Sequence, residues 1–198
     1  MKKTLTNLDL ANCITKILEQ KNIKNINICP GSRNTPLSYS ILNNNNFTCL
    51  SFIDERAGSF FALGISKSIM QPSVIITTSG TAVANLLPAI IEADLSMIPL
   101  IIITADRPKK LQYTGENQTI RQYDIFKNYT RATLNIDNTS CTDSHSLLSK
   151  IHTTINKANG LKGVLAPGPV HINVAFDEPL LDDSTINNFN FKYEPNKQ

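Results

Sequence analysis

The sequence has no tryptophan and few charges: Asp, Glu, Lys and Arg make up 18% of its 198 residues. Its longest uninterrupted apolar run, Met97 to Ile103, is seven residues long, whereas a helix needs roughly 18 to cross a bilayer. Lys2-Lys3 is followed by Asn7, Asp9 and Asn12 where a secretory signal would be apolar, so a soluble cytoplasmic protein with no integral membrane segment is expected. No block of like charge is present: 19 basic and 16 acidic residues are dispersed and leave a formal charge of +3, which disfavours nucleic acid as a partner. Cys13, Cys29, Cys49 and Cys141 include no CxxC pair, so core or half-buried thiols are expected over zinc ligands or disulfides. No internal repeat is visible, and no GxGxxG follows the first expected strand, which disfavours a dinucleotide-binding domain. What remains, 41% hydrophobic residues with 8 Gly and 10 Pro, is ordinary globular composition, enough for one domain with a sizeable core.

Periodicity divides the chain into alternating strands and helices. Leu10, Ile14, Ile17 and Leu18 recur at helical spacing within Leu8 to Gln20, with Asn7 available as a cap. Asn25 to Cys29 reads as a strand stopped by Pro30-Gly31-Ser32, followed by a short helix from Leu37 to Leu42. Thr48 to Ile53 is a second strand ending in Asp54-Glu55-Arg56, and Ala57 to Ser68 a helix. Ser73 to Thr77 is a β-branched strand ending in Thr78-Ser79-Gly80-Thr81, and Ala82 to Ala93 an apolar helix that Pro88 is expected to kink. Ile98 to Thr104 has the continuous apolar character of a strand covered on both faces, and it ends in Ala105-Asp106-Arg107-Pro108. Asp143 caps a helix marked by Leu147, Leu148, Ile151 and Ile155, with Gly160 beyond its end, and Val170 to Ala175 is the last strand. From Asp177 onward the composition becomes that of a linker or tail.

This alternation predicts a three-layer α/β/α domain with a mainly parallel sheet, and such sheets bind ligands outside the carboxyl ends of their strands. Four expected strand ends carry polar or permissive residues: Pro30-Gly31-Ser32-Arg33, Asp54-Glu55-Arg56, Thr78-Ser79-Gly80-Thr81 and Asp106-Arg107. Any one of them is an ordinary turn, but four converging ends favour a site. His145 and His152, seven apart on one helix, lack metal-ligand spacing, and Lys109-Lys110 reads as a solvated pair.

Six blocks carry a resemblance. Ile28-Cys29-Pro30-Gly31-Ser32-Arg33-Asn34-Thr35-Pro36-Leu37, Asp54-Glu55-Arg56-Ala57-Gly58 and Thr78-Ser79-Gly80-Thr81-Ala82-Val83-Ala84-Asn85-Leu86 are the first three. Thr104-Ala105-Asp106-Arg107-Pro108, Gly115-Glu116-Asn117-Gln118-Thr119-Ile120 and Gly168-Pro169-Val170-His171-Ile172-Asn173 complete the set. In this order, from about Leu8 to Leu180, the chain resembles the amino-terminal pyrimidine-binding domain of the thiamine diphosphate-dependent 2-succinyl-5-enolpyruvyl-6-hydroxy-3-cyclohexene-1-carboxylate synthases of menaquinone biosynthesis. The resemblance implies decarboxylation of 2-oxoglutarate and addition of the succinyl unit to isochorismate. It also implies that residues 1–180 form the pyrimidine domain and 181–198 a linker toward a missing central domain.

The resemblance further assigns Glu55 as the cofactor-activating glutamate. A carboxyl group hydrogen-bonded to a ring nitrogen of the aminopyrimidine favours the imino tautomer, whose exocyclic nitrogen can take the thiazolium proton. Enclosure by Phe52, Ile53 and the apolar helix would suit that task by disfavouring the charged form. Pro30, Thr78, Ser79 and Asn85 are implied to line the cofactor pocket. Arg33 and Arg107 are implied to clamp substrate carboxylates, with Ser32, Asn117 and Gln118 as hydrogen-bonding neighbours; both substrates are dicarboxylates, and a guanidinium can hold a carboxylate bidentately. Taken alone, Glu55 reads as a solvated member of its triplet, Arg33 and Arg107 as loop and surface cations, Asn85 as a capping or core amide, and His171 as structural.

The complete enzymes of this family bind Mg²⁺ (or Mn²⁺) and the diphosphate through a Gly-Asp-Gly stretch in a further domain, contributed to each site by another subunit. No Gly-Asp-Gly occurs here, so the chain is expected to be a fragment with half a site, inactive alone and a homodimer or homotetramer when complete. Two alternatives stay open: another thiamine diphosphate carboligase or decarboxylase domain, and a non-catalytic α/β dimerisation module. Without the metal and diphosphate anchor, binding is expected to be weak. Calorimetric titration of this chain with thiamine diphosphate and Mg²⁺ is expected to give no saturable heat at micromolar ligand; a submicromolar isotherm would contradict that division of the site.

Overall fold

A computed structural model of the chain describes residues 5–137 and 143–182. Six strands, β1 (Asn25–Ile28), β2 (Thr48–Ser51), β3 (Ser73–Thr77), β4 (Leu100–Asp106), β5 (Ala132–Asp137) and β6 (Pro169–Ala175), form one sheet in the order β2-β1-β3-β4-β6-β5. Every neighbouring pair is parallel. Helices α1 (Asn7–Gln20), α2 (Thr35–Leu42), α3 (Glu55–Ile69), α4 (Thr81–Ala84), α5 (Leu87–Leu95) and α6 (Ser144–Asn156) cover both faces, which is the expected α/β class.

Strand alternation builds two separate cores. On one face Val74 and Ile76, Ile101 and Ile103, and Val170, Ile172 and Val174 pack with Leu10, Ile14 and Leu18 of α1, Leu37 and Ile41 of α2, and Leu147, Ile151 and Ile155 of α6. On the other, Ile75, Leu100 and Ile102 pack with Ala62 and Leu63 of α3, Val83 of α4, Leu86, Ile90 and Ala93, and Phe126. Because side chains alternate with period two, β3 and β4 each feed both cores, which explains the apolar runs Val74–Ile76 and Leu100–Ile103.

Four details depart from the sequence expectations. The cap of α1 is Thr6: its hydroxyl accepts from the Asp9 amide (3.1 Å) while the Asp9 carboxylate accepts from the Thr6 amide (2.9 Å), a reciprocal pair that needs an acid three residues after the cap. Asn7 is freed from that role and donates instead to the carbonyls of Asp177 (2.6 Å) and Pro179 (3.0 Å). The helix through Pro88 is two helices, because proline has no N–H for the Ala84 carbonyl and is tolerated only in a first turn, here that of α5. Strand β5, at the sheet edge, has no counterpart in the sequence reading. Lys110 is not merely solvated, since its ammonium lies 2.6 Å from the Asp177 carboxylate.

Cys13 and Cys29 are buried and Cys49 half-buried, none in a disulfide among the described residues; Cys141 and nearly all of the expected linker lie outside the described residues. Among the described residues no helix is long and apolar enough to cross a membrane.

Arg131 closes the second layer onto the irregular segment before β6. Its Nε donates to the Ala166 carbonyl (2.9 Å), its Nη2 to those of Pro167 (3.0 Å) and Asp94 (3.3 Å), and its Nη1 to the Asp94 carboxylate. Gly168 makes room for this fork, since a Cβ there would stand 2.6 Å from the guanidinium carbon. Arg131→Ala is expected to lower stability by about 2–3 kcal/mol in urea unfolding, because it strands one carboxylate and several carbonyls; Arg131→Lys is expected to recover only part, an ammonium being unable to fork. An unchanged urea midpoint for the alanine variant would contradict this role.

Candidate active site at the carboxyl ends of the strands

The strand order reverses at β1, whose neighbours are β2 on one side and β3 on the other. Open parallel sheets leave a crevice outside the carboxyl ends at such a reversal. The turn after β1 and the turn after β3 meet there. Gly31 sits directly on Thr78: a Cβ on Gly31 would lie 2.4 Å from the Thr78 Cβ, so only glycine permits the approach. Thr78 is buried and its Oγ1 has no hydrogen-bond partner among the described residues. Pro30 and Ser32 are exposed at the lip, and the Ser32 carbonyl accepts from the amide (3.1 Å) and hydroxyl (2.6 Å) of Thr35, which starts α2.

Glu55 enters from the end of β2. Asp54 caps α3 by accepting from the Ala57 amide (3.0 Å), so α3 starts at Glu55, two residues earlier than expected. The Glu55 Oε2 accepts from the Asn85 side chain at 3.0 Å, and Asn85 stands at the break between α4 and α5 that Pro88 imposes. Two residues 30 apart in sequence are thus joined, leaving Oε1 without a hydrogen bond among the described residues. Ile53, expected to enclose this carboxyl, is 93% exposed and does not wall it in this chain; a residue at the end of a short edge strand has nothing above it to pack against. Burial first, then the negative charges of Glu55 and Asp54, push the nearby Cys29 thiol up to about 12, which makes it inert as a nucleophile.

Ser79 and Gln118 are brought together, the Ser79 hydroxyl donating to the Gln118 carbonyl (3.0 Å). Gly80, at φ 81°, packs against the same residue, with a would-be Cβ 2.8 Å from the Gln118 Cγ and carbonyl oxygen. Asn117 and Gln118 present exposed side chains above this turn. Arg107 is half-buried, and its Nε is enclosed without a hydrogen-bond partner among the described residues. Arg33, only 4% exposed, points elsewhere: its Nη1 donates to the Phe176 carbonyl (3.1 Å) and its Nη2 to the Glu178 carboxylate (3.0 Å). No hydrogen bond joins Arg33 or Arg107 to Asn117 or Gln118 among the described residues.

Beneath the site lies a buried polar network absent from the sequence reading. Gln122 accepts from the Gly80 amide (3.1 Å) and donates to the Ala105 carbonyl and the Asn173 side-chain oxygen (both 2.7 Å). Asn173 in turn donates to Asp106 (2.8 Å), whose other oxygen accepts from the Arg107 amide (2.7 Å). Burial pushes the Asp106 carboxyl up to about 6, with Asp137 adding to the rise and the Asn173 hydrogen bond opposing it. The Thr104 hydroxyl donates to Asn173 (2.8 Å), so toward His171 Nε2 (2.8 Å) it acts as acceptor. His171 therefore carries its proton on Nε2, with a buried, unpartnered Nδ1 and an edge contact to Phe126. A Gln buried in a loop has no periodic signature; only its neighbourhood to the recognised Asn117-Gln118 block could have flagged it.

An apolar cavity of about 550 Å³ opens beside the Pro30-Gly31 turn, lined also by Tyr39, Leu42 and Leu181. Its walls hold no charge, so the chemistry belongs to the polar crevice.

Residues 8–125 match the family described as thiamine pyrophosphate enzyme, N-terminal TPP binding domain. The chain belongs to this family. As a thiamine pyrophosphate enzyme domain it is similar to the 2-succinyl-5-enolpyruvyl-6-hydroxy-3-cyclohexene-1-carboxylate synthase of Chloroflexus aurantiacus, 41% identical over 170 residues, which are 86% of this chain and 28% of that protein. The synthase of the same name from Flavobacterium johnsoniae is 44% identical over 171 residues, 86% of this chain and 29% of that protein. The chain thus spans under a third of the length of these curated relatives. The crevice of this thiamine pyrophosphate enzyme domain fits an aminopyrimidine: a carboxylate with a spare oxygen, a buried unpartnered hydroxyl at Thr78, and a glycine cradle that a Cβ would fill.

Burial keeps His171 neutral, holding its pKa near 3, below the ordinary 6.5. Below pH 6.5 an unfolded chain takes up a proton there and the folded chain does not until about pH 3, so this contribution to stability is present above 6.5 and is lost as the pH falls. Asp106 opposes it, since the folded carboxyl takes its proton near pH 6, before an unfolded one does. Urea unfolding of the parent and of His171→Gln at pH 6.5 and 4.5 checks the balance. The parent is expected to lose about 2 kcal/mol more than the variant between those pH values; equal losses would mean that the imidazole is protonated in the fold.

Proposed function

We propose that this chain is the pyrimidine-binding domain of a synthase that decarboxylates 2-oxoglutarate and adds the succinyl unit to isochorismate in menaquinone biosynthesis. The observation that carries the reading is the Asn85–Glu55 hydrogen bond at 3.0 Å, which fixes one carboxylate oxygen and leaves the other for a ligand at the strand-order reversal; the names of the similar synthases supply the product.

Glu55 shares a proton through Oε1 with a ring nitrogen of the aminopyrimidine, and Asn85 holds the carboxylate plane while this happens. Thiamine diphosphate, when bound, supplies a nucleophilic thiazolium carbon and accommodates the electron pair released by decarboxylation. Pro30 and Ser79 shape the pocket, and Thr78 offers its unpartnered hydroxyl. Arg107 and Arg33 hold substrate carboxylates, and Ser32, Asn117 and Gln118 donate or accept hydrogen bonds at the rim. Mg²⁺ or Mn²⁺ and the diphosphate belong to the diphosphate-binding domain of another subunit in a cytoplasmic homodimer or homotetramer. Exposed Ile53 (93%), Phe60 (43%) and Phe61 (45%) around the start of α3 support the covering of this side by another domain.

In a complete enzyme carrying this domain, Glu55→Gln is expected to lower turnover of 2-oxoglutarate and isochorismate by about 10² or more, with an unchanged circular dichroism spectrum. Full turnover by the glutamine variant would remove Glu55 from the chemistry. Faster product formation from pyruvate than from 2-oxoglutarate would favour a different thiamine diphosphate carboligase.

A further inference from the structure

The side edge of a guanidinium, formed by Nε–H and one Nη2–H, is spaced to hold both oxygens of one carboxylate. In Arg33 that edge is only half used. Glu178 Oε1 accepts from Nη2 at 3.0 Å, while Nε is buried and has no hydrogen-bond partner among the described residues. The two ends of the contact also differ: the Arg33 side chain is 5% exposed and that of Glu178 is 72% exposed. The carboxylate is thus an open, single-point stopper on a buried, two-point socket.

Glu178 can leave without disturbing the backbone that carries it. Asn7 holds the carbonyls on either side, those of Asp177 (2.6 Å) and Pro179 (3.0 Å). The Asp177 carboxylate accepts from Lys110 (2.6 Å) and from the Glu178 amide (2.9 Å), and the Lys110 hydrogen bond holds the Asp177 carboxyl below its usual range. None of these bonds involves the Glu178 side chain, which among the described residues is held by Arg33 alone. The guanidinium stays in place meanwhile through the Phe176 carbonyl (3.1 Å).

We propose that Glu178 is a built-in carboxylate that occupies Arg33 in the absence of ligand and gives way to an incoming carboxylate able to bind Nε and Nη2 together. This rests on the reading of Arg33 as a carboxylate clamp and adds to it a competitor within the chain. Exchange of one carboxylate for another leaves the charge around the buried guanidinium unchanged, so the exchange avoids an uncompensated buried cation. It also sets a threshold: a single anion such as chloride, lacking the second oxygen, gains nothing over Glu178, whereas a dicarboxylate substrate does.

The test is an NMR titration of the ¹⁵N-labelled chain with succinate at low ionic strength, following the amides of Arg33, Asn34 and Phe176, with chloride at matched ionic strength as the control. Glu178→Gln is expected to bind succinate about three- to tenfold more tightly than the parent, the worth of one partly exposed ion pair. It is also expected to melt lower without ligand and to recover on addition of succinate. Glu178→Asp, with its charge withdrawn by one methylene, is expected to fall between the two, and it carries the test if the glutamine variant does not fold. Equal or weaker affinity in the variants overturns the stopper and makes Glu178 a positioning group for Arg33. Succinate shifts that persist unchanged in Arg33→Gln overturn the clamp reading itself, and no shift in either parent or variants overturns both.

Discussion

The amide of Gln122 is the constraint on which the site's geometry rests. With three hydrogen bonds it ties the Gly80 turn, the end of β4 at Ala105 and the Asn173 side chain of β6 to one point. All of these groups are buried, so leaving any unmade would cost on the order of 1–3 kcal/mol. The consequence is positional. The loop that carries Asn117 and Gln118 cannot shift relative to the Ser79–Gly80 turn without breaking bonds that water cannot replace, and Arg107 is fixed in turn through Asp106 and Asn173. A rim of exposed side chains is thereby held by a dry polar core.

Buried Arg33 and half-buried Arg131 illustrate how one residue type serves opposite ends. Arg131 spends its fork on three carbonyls and one carboxylate, with all three of its nitrogens engaged. Arg33 is more deeply buried yet keeps an unpartnered Nε. Completeness of hydrogen bonding, and not burial, is what separates a structural cation from one that can still bind.

Most of the fold was legible because β3, β4 and β6 are rich in β-branched residues and bounded by turn formers, and because α1 and α6 have clear helical periodicity. Strand β5 was not, although Ala132–Asp137 alternates apolar and polar residues: it is a short, half-buried edge strand whose Ala, Asn and Asp are poor strand formers and weaken that signal. The cap at Thr6 was hidden by the neighbouring Asn7, an equally good cap by type, whose amide is taken by a segment 170 residues away. The site divides in the same manner. Motifs in Cys29-Pro30-Gly31 and Thr78-Ser79-Gly80 could be read from their residues, whereas the Glu55–Asn85 pair and the Gln122 network join positions that only the sheet order brings together.

That order has a consequence for how the chain assembles. β6 is the last strand in sequence but lies between β4 and β5, and its Asn173 reaches back 69 residues to Thr104. Until residues 169–175 have left the ribosome, β4 therefore has an unpaired edge of apolar sequence and β5 has no strand to join. Loop closure over such separations is slow, and open strand edges invite pairing with other chains. Synthesis of this domain thus passes through an interval in which its most hydrophobic strand is exposed, and the interval ends only when its penultimate segment is complete.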